Sequence, residues 1–430
     1  MSPAESLPPV RTVTTDYFGT KVGDPYRYFE EKGNAEVEKW AKAESESTLA
    51  ALATMPDRAK IAKLIEAAGE SQGDRVGWIL EPAVEHYFFL MRRQSDEIEL
   101  LFEQKPGGKP VLVLDPRKIV SGTGAPVTVK SFSVSPDLKK LAVAITSGGG
   151  ENASLHVIDL ADGRISEGPF ERARWGSAQW LPDSTGFFYN RLQKLGPEAD
   201  PLQTFQKSMV HFHRVGTPES EDRVVFGMGV NADVMVRAED IVFAYPAGSS
   251  GWMVSENETG VSNDYIFHIT RLEDVLSGKP SWRKLTDRSD LASGIKVHGD
   301  HVYLLSRKDA PNGKIVRMPV NGDAKMEDVF KAPRGVILDF AVRTDGMYVR
   351  VLDGGPSKLL RLPWKSMDKA ETISLPEEGK IWIHDGNEAY GDREGVGFTL
   401  GSWTRPSKLM RVKGGQTKAE LADLPQLQDP

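Results

Sequence analysis

The sequence predicts an all-β fold, a seven-bladed β-propeller of four-stranded blades, preceded by a short N-terminal α-helical segment. The first observation behind this prediction is a change of pattern near residue 70. After Gly73, helical spacing of apolar residues nearly disappears, and short runs of aromatic and β-branched residues alternate with Gly, Asp, Asn and Pro turns. The second observation is that these runs recur along the rest of the chain.

The repeat consists of a polar turn, usually with Asp, that precedes a run of strand-forming residues. Seven such turns have a mean spacing of 50 residues, and they contain Glu85, Asp137, Asp183, Asp240, Asp300, Asp345 and Asp385. Periods of this size are typical of propellers, in which one four-stranded blade takes about 40–50 residues. A pair of β-sandwiches with irregularly spaced hairpins is the alternative architecture.

Residues 1–70 have a different character and predict an extended strip followed by two helices. The segment from Asn34 to Thr54 consists of strong helix formers. In the second helix, Ile61, Leu64, Ile65 and Ala68 follow helical spacing. We therefore divide the chain into residues 1–70, a propeller over 71–425, and the start of a linker at 426–430.

The composition indicates a folded, soluble protein, with 39% hydrophobic and 27% charged residues. The net charge of −7 argues against a nucleic-acid partner, which requires a basic face. The sequence contains no cysteine, which excludes disulfides, thiolate catalysis and cysteine-based zinc sites. It has no run of 18 apolar residues, so we expect no membrane span. We expect a cytoplasmic location, or a periplasmic one if a signal peptide was removed.

Several segments carry a resemblance to a known family. Residues 16–27, DYFGTKVGDPYR, resemble the opening signature of the prolyl oligopeptidase family of serine peptidases. Residues 135–137, SPD, and 180–191, WLPDSTGFFYNR, resemble its second and third blades. Residues 213–222, HRVGTPESED, resemble the connection into the fourth blade, and 402–406, SWTRP, the seventh-blade turn. The resemblance covers essentially the whole chain and implies an N-terminal segment plus a β-propeller.

The same resemblance implies an α/β-hydrolase domain after the propeller, with its serine on a Gly-x-Ser-x-Gly elbow. These 430 residues contain no such elbow: residues 248–251, GSSG, have the wrong spacing, and residues 397–401, GFTLG, have threonine at the centre. We therefore expect the chain to have no catalytic residues and to be inactive alone. Its expected partners are short peptides and an α/β-hydrolase domain, in cis or in trans.

One candidate substrate-binding residue follows from the resemblance. In the family, a propeller aromatic shortly before the third blade's Trp-x-x-Asp turn lines the substrate pocket, and Trp175 occupies the matching place before Trp180. An exposed aromatic ring there could stack on a substrate ring. The alternative is that Trp175 only packs at a blade edge.

No pattern of ligands predicts a metal or another cofactor. His211 and His213, and likewise His298 and His301, are close enough in sequence to approach one metal ion, but neither pair has a third ligand at a telling spacing. We expect these four histidines, together with His86 and His384, to be structural. The adjacent acidic pairs Glu30-Glu31 and Glu377-Glu378 point to opposite faces in an extended chain, and we expect them on the surface.

Three functions compete at this stage. The first is a substrate-gating and peptide-binding propeller that belongs to a prolyl oligopeptidase-like endopeptidase. The second is a stand-alone propeller that binds peptides or proteins without turnover. The third is an unrelated enzyme on a propeller scaffold, for example a sugar hydrolase, because fold does not determine function.

Overall fold

The structure is a computed structural model that describes residues 7–31, 33–70, 73–119, 125–260, 262, 264–322, 325–384 and 392–424. The chain divides into two units, residues 1–72 and 73–430. Among the described residues, no helix combines the length and apolar composition needed to cross a membrane. The predicted turn at Asp385 and the predicted linker at 426–430 lie outside the described residues.

The first unit begins with a hairpin of β1 (Val13–Tyr17) and β2 (Thr20–Asp24). Phe18 and Gly19 form its turn with φ angles of 54° and 89°, as a two-residue hairpin turn requires. The Gly19 N–H donates to the Asp16 carboxylate over 2.7 Å. The strip expected to be extended consists of two extended strands that pair as a hairpin.

Two helices follow, α1 (Ala35–Ala53) and α2 (Arg58–Glu70), and they form the predicted helical segment. The Asn34 side chain caps α1 by accepting hydrogen bonds from the N–H groups of Glu36 and Val37, which are otherwise unsatisfied at a helix start. In α2, Ile61 and Leu64 are more than half exposed, so this helix buries little of its apolar face.

The second unit is a seven-bladed propeller, as the sequence predicts, and each blade is a four-stranded antiparallel sheet of consecutive strands. Blades 1 to 4 consist of β3–β6 (Arg75–Ala83, His86–Arg92, Leu100–Gln104, Val111–Leu114), β7–β10 (Val127–Val134, Lys140–Ser147, Ala153–Asp159, Ile165–Phe170), β11–β14 (Gln179–Trp180, Gly186–Arg191, Met209–Arg214, Arg223–Gly227) and β15–β18 (Asp240–Pro246, Trp252–Thr259, Ile266–Arg271, Arg283–Lys284). Blades 5 to 7 consist of β19–β22 (Ala292–His298, His301–Ser306, Lys314–Pro319, Glu327–Phe330), β23–β26 (Val336–Arg343, Gly346–Leu352, Ser357–Leu362, Glu371–Thr372) and β27–β30 (Lys380–Ile383, Val396–Ser402, Arg405–Val412, Glu420–Leu421).

Short helices occur in the connections. They are α3 (Leu272–Leu276) and the 3-10 turns Arg27–Glu30, Pro116–Lys118, Pro201–Phe205, Glu219–Glu221 and Arg288–Asp290.

The core lies between the blades. Seven apolar clusters fill the seven interfaces between neighbouring blades, one cluster to each interface. The second strand of a blade is packed on both faces, and in β4 every residue from His86 to Met91 is buried. A strand buried on both faces is apolar along its whole length, which explains why the predicted repeat is most visible at the second strands.

The fourth repeat is an exception to this rule. Asp240 begins β15, the first strand of its blade, whereas the other described turns precede a second strand. The turn that corresponds to them is Gly248–Gly251, before β16. Because β15 is itself rich in β-branched and aromatic residues, the sequence pattern alone did not distinguish the first strand from the second.

Among the described residues, no strand is shared between the two ends of the propeller, since every blade consists of consecutive strands. Side chains close the ring instead. The interface between blades 7 and 1 contains an apolar cluster with Phe89 and Leu409, and the Gln104 amide donates to the Asp423 carbonyl over 2.6 Å. Arg393 donates to the Glu81 carbonyl over 2.6 Å and also lies 3.3 Å from its carboxylate.

Candidate functional site

The first strands of all seven blades line the propeller's central channel. Residues of β3, β7, β11 and β27 line one cavity, and residues of β15, β19, β23 and β27 line a second. Ile383 contributes to both cavities, so they adjoin along the channel. Because the strands are antiparallel, all first strands begin at one face of the propeller, which we call the upper face.

The larger cavity, which we call the channel mouth, has a volume of about 1090 Å³. It is built from strands and loops of blades 1, 2, 3, 6 and 7 on the upper-face side. Its lining combines aromatic rings with small polar groups, including Ser133, Ser177, Gln179, Thr399, Ser402 and Ser407. A concave, mainly apolar site with a few polar groups has the composition of a ligand-binding pocket.

The channel mouth contains every exposed tryptophan of the chain. Trp78, Trp382 and Trp403 are 55%, 58% and 105% exposed, and the other six tryptophans are buried or half-buried. All three line this cavity. Exposed tryptophan is energetically costly and is concentrated at binding surfaces, because the ring supplies a large contact area with little conformational freedom to lose.

Trp78 reaches the cavity through an irregularity in β3. The pairing of β3 with β4 shifts between Gly77 and Ile79, so Trp78 is the extra residue of a β-bulge. Its φ angle is 29°, a conformation that L-residues rarely adopt. Such bulges re-aim side chains and occur frequently beside binding sites. Local backbone strain at an exposed tryptophan therefore indicates a functional position.

Trp382 lies in β27, where side chains alternate between the core and the channel. Ile381 and Ile383 are buried, whereas Lys380 and Trp382 are exposed. The Lys380 ammonium lies 5.9 Å from the centre of the indole ring, and the Arg350 guanidinium lies 5.4 Å from it. Two cations therefore flank one aromatic ring at the channel wall.

The third tryptophan, Trp403, lies at the tip of the hairpin between β28 and β29. Ser402 holds this turn by accepting a hydrogen bond from the Thr404 N–H over 3.3 Å. His384, at the end of β27, hydrogen-bonds with Thr399. Burial lowers the pKa of His384 to about 4, so this side chain is neutral near pH 7. His384 is therefore a polar group of the channel mouth without a charge.

The second cavity, of about 270 Å³, is lined by Glu256, which belongs to an acidic pair that the sequence analysis did not identify. Glu256 and Glu258 are two apart on β16 and are hydrogen-bonded to each other, and the Tyr245 hydroxyl donates to Glu256 over 3.2 Å. Burial first, and the charge of Glu258 second, raise the pKa of Glu256 to about 8. Burial also raises the pKa of Glu258. Two acidic residues at positions i and i+2 of a strand are the sequence signal for such a pair, because their side chains point to the same face of the sheet.

Trp175, the predicted substrate-binding residue, lies on the upper face in the loop between β10 and β11. It is half-exposed, and the Arg174 guanidinium lies 5.7 Å from its ring centre. The Ser177 N–H donates to the Trp175 carbonyl over 2.9 Å, which fixes the loop. Ser177 and Gln179 line the channel mouth, but Trp175 is not among its lining residues. Its role in substrate binding stays a prediction.

The histidines that could have approached a metal have other contacts. His213 lies between two carboxylates, and the His298 ring stacks on Trp364 with 3.8 Å between ring centres. His86 lies 2.8 Å from the Glu103 carboxylate. Within the described part of the chain, no group of three or more His, Asp or Glu side chains is arranged to hold a metal ion.

Glu377-Glu378 is one of the two acidic pairs expected at the surface. Glu377 forms an ion pair with Arg405, whereas Glu378 lines the channel mouth. Sequence reasoning did not identify Trp78, Trp382 or the role of Trp403. The available signal for Trp382 was an exposed aromatic that alternates with two isoleucines. The bulge that orients Trp78 has no sequence signal of its own.

Comparisons with known proteins agree with this architecture. Residues 6–421 match the family described as "Prolyl oligopeptidase, N-terminal beta-propeller domain". The prolyl endopeptidase of Elizabethkingia meningoseptica is 24% identical over 71% of this chain, and the dual function macrocyclase-peptidase POPB of Galerina marginata is 22% identical over 70%. The chain spans 41% and 43% of the length of these two relatives.

Solved structures show the same fold. One, from a study of two prolyl endopeptidases, superimposes with a TM-score of 0.80 at 21% identity, covering 97% of this chain and 59% of that one. Prolyl oligopeptidase B from Galerina marginata, bound to a 35-residue hydrolysis and macrocyclization substrate, also gives 0.80, at 17% identity, covering 99% of this chain and 61% of that one. The chain therefore belongs to the prolyl oligopeptidase family and comprises its N-terminal β-propeller domain.

Proposed function

We propose that this chain is the substrate-gating and peptide-binding part of a prolyl oligopeptidase-like serine endopeptidase and that it does not hydrolyse peptides alone. The observation that supports the proposal best is the convergence of Trp78, Trp382 and Trp403 on one cavity of the central channel. Peptide chains bind well to exposed indole rings, which contact backbone, aliphatic and cyclic side chains alike. One of the similar structures was determined with a peptide substrate bound.

Gating is steric in this proposal. A volume of about 1090 Å³ accommodates a short peptide segment, whereas even a 100-residue folded domain has a radius of gyration of about 13 Å. A flexible peptide can therefore reach the tryptophans, and a folded protein cannot. Chemistry requires a hydrolase domain in cis or in trans, because these 430 residues contain no Gly-x-Ser-x-Gly elbow.

The first experiment tests the size limit. One flexible peptide is titrated into the 430-residue chain by calorimetry, both free and displayed as a loop of a stable folded carrier domain. The proposal predicts micromolar affinity for the free peptide and no measurable binding of the folded carrier. Equal affinity for both forms would contradict gating, and binding of neither form would contradict peptide binding.

The second experiment tests the absence of chemistry. The purified chain is treated with a fluorophosphonate serine-hydrolase probe and analysed by intact mass. The proposal predicts no adduct, and a stoichiometric adduct would reveal a nucleophilic serine.

The stand-alone peptide-binding propeller is the second candidate function. It is favoured by one observation, that the described residues lining the channel mouth all belong to the propeller unit. The two proposals agree on peptide binding and differ on turnover after addition of a hydrolase domain. Restored cleavage of a Gly-Pro chromogenic substrate would support the endopeptidase, and its absence would support the binding module.

A further inference from the structure

The charges around Trp382 are unbalanced. Arg350 is neutralised by Asp339, whose carboxylate lies 2.7 Å from its guanidinium, and it also donates to the Ile381 carbonyl. For Lys380, no carboxylate of the described residues lies within ion-pair distance. Its side chain is exposed and lines the channel mouth, and its ammonium lies 5.9 Å from the centre of the Trp382 ring.

An unpaired ammonium beside an exposed indole is a site with two properties. The ring offers a flat apolar surface, and the cation, which lies over the ring at 5.9 Å from its centre, attracts an anion close to that surface. A partly enclosed cavity strengthens the attraction, because fewer water molecules compete for the charges than at an open surface. A ligand that carries a flat apolar group and a carboxylate close together therefore fits both.

The distance between the Lys380 ammonium and the Trp382 ring restricts the kind of ligand that fits. Lys380 Nζ is 5.9 Å from the centre of the Trp382 ring, about the span between a side chain and the carboxylate of the same amino acid. In an extended peptide, neighbouring side chains point in opposite directions, so an acidic residue beside an aromatic one would direct its carboxylate away. At the last residue of a peptide, the carboxylate is attached to the same Cα as the side chain.

We propose that the channel mouth binds the C-terminal residue of a peptide, with an aromatic side chain on Trp382 and the terminal carboxylate paired with Lys380. The inference rests on the proposed function and specifies which end of a peptide the site recognises. Glu378 lies in the connection before β27, two residues before Lys380, and also lines the cavity. Its negative charge opposes the terminal carboxylate, so it limits the affinity of the site.

The test compares two peptides that differ by one charge. An acetylated pentapeptide of four glycines and a C-terminal phenylalanine is titrated into the 430-residue chain as the free acid and as the amide. We expect the free acid to bind about tenfold more tightly, since a hydrogen bond between charged groups is stronger than one between neutral groups. The preference should weaken at high salt.

Variants assign the preference to the site. Lys380→Gln should bind both peptides with equal affinity, and Glu378→Gln should strengthen binding of the free acid. Lys139→Gln is the matched control, because Lys139 is an exposed lysine in a turn at the opposite face, and it should retain the full preference. Equal affinities of acid and amide for the unmodified chain would overturn the inference and leave peptide binding intact. If the chain bound neither of these peptides and no other flexible peptide, the proposed function would be overturned as well.

Discussion

The Nδ1 atom of His213 lies 2.6 Å from the carboxylate of Asp222, deep between blades 2 and 3. The other ring nitrogen lies 2.5 Å from Glu167, so the imidazole bridges two acids from neighbouring blades. Burial lowers the pKa of His213, but the hydrogen bonds to Asp222 and Glu167 outweigh burial and raise the pKa to about 9. The histidine is therefore a cationic link within the propeller rather than a metal ligand.

Because the folded-state pKa of His213 is above the ordinary value of about 6.5, the link stabilises the fold fully below that pH. Its contribution decreases as the pH rises and is lost through pH 9. We expect His213→Asn to lower the free energy of unfolding by about 3 kcal/mol at pH 6 and by much less at pH 10. Urea denaturation at both pH values measures the difference, with His301→Asn as the control. A loss independent of pH would contradict the charged link.

Glu256 should give stability a second pH dependence. Its pKa of about 8 in the folded chain means that it keeps its proton where an unfolded glutamate has lost it. Stability should therefore fall as the pH rises from about 4.5 to 8. We expect Glu256→Gln to be more stable than the unmodified chain at pH 8.5 and similar at pH 4.5, by thermal or urea unfolding. Lower stability of this variant at both pH values would show that the ionised carboxylate is favourable.

Much of the fold could be predicted because its signals are local. The apolar second strands recur at blade spacing, and Asn34 and the helix-forming residues after it specify α1. The site was less predictable, because its residues come from blades that are distant in sequence. Trp78 and Trp382 are 304 positions apart, and only the closure of the ring brings them to one cavity.

His213 shows the same limit of sequence reasoning, since one of its partners is distant in sequence. Asp222 is near it in sequence, but Glu167 belongs to another blade, so the sequence indicated a strand histidine without its charge state. For Trp78, the deciding feature is a backbone conformation that no composition rule specifies.

A substitution at the Trp78 bulge should lower peptide affinity while leaving the stability of the fold nearly unchanged. Glycine adopts positive φ angles without strain, and the tryptophan side chain is 55% exposed, so Trp78→Gly relieves strain and removes little packing. We expect the free energy of unfolding to stay within about 1 kcal/mol of the unmodified value. Peptide affinity should fall about tenfold, as expected for the loss of an aromatic anchor. Trp180 is fully buried, so a loss of peptide affinity in Trp180→Ala would be uninformative. The control is Trp252→Ala, because Trp252 lies outside the channel mouth.

Ring closure should depend on Glu81. Its side chain is 6% exposed and faces Arg393 at 3.3 Å and Arg411 at 3.6 Å. Glu81→Gln removes the buried carboxylate that faces both arginines, while Arg411 keeps the Glu85 carboxylate at 3.3 Å. We expect a loss of about 3 kcal/mol with faster hydrogen exchange in β3 and β27. The control is Glu327→Gln, which removes an exposed pair with Arg317 and should change stability by less than about 0.5 kcal/mol. Equal effects of the two substitutions would show that charge does not hold blades 7 and 1 together.

Photo-crosslinking tests the central claim most directly. A short flexible peptide with a benzophenone side chain is bound to the 430-residue chain, irradiated, and the modified residues are identified by mass spectrometry. If the channel mouth binds peptides, the crosslinks lie in β3 and β27 and at the Trp403 hairpin, and excess unlabelled peptide abolishes them. Crosslinks confined to the outer strands of the blades, or unaffected by competitor, would contradict the claim.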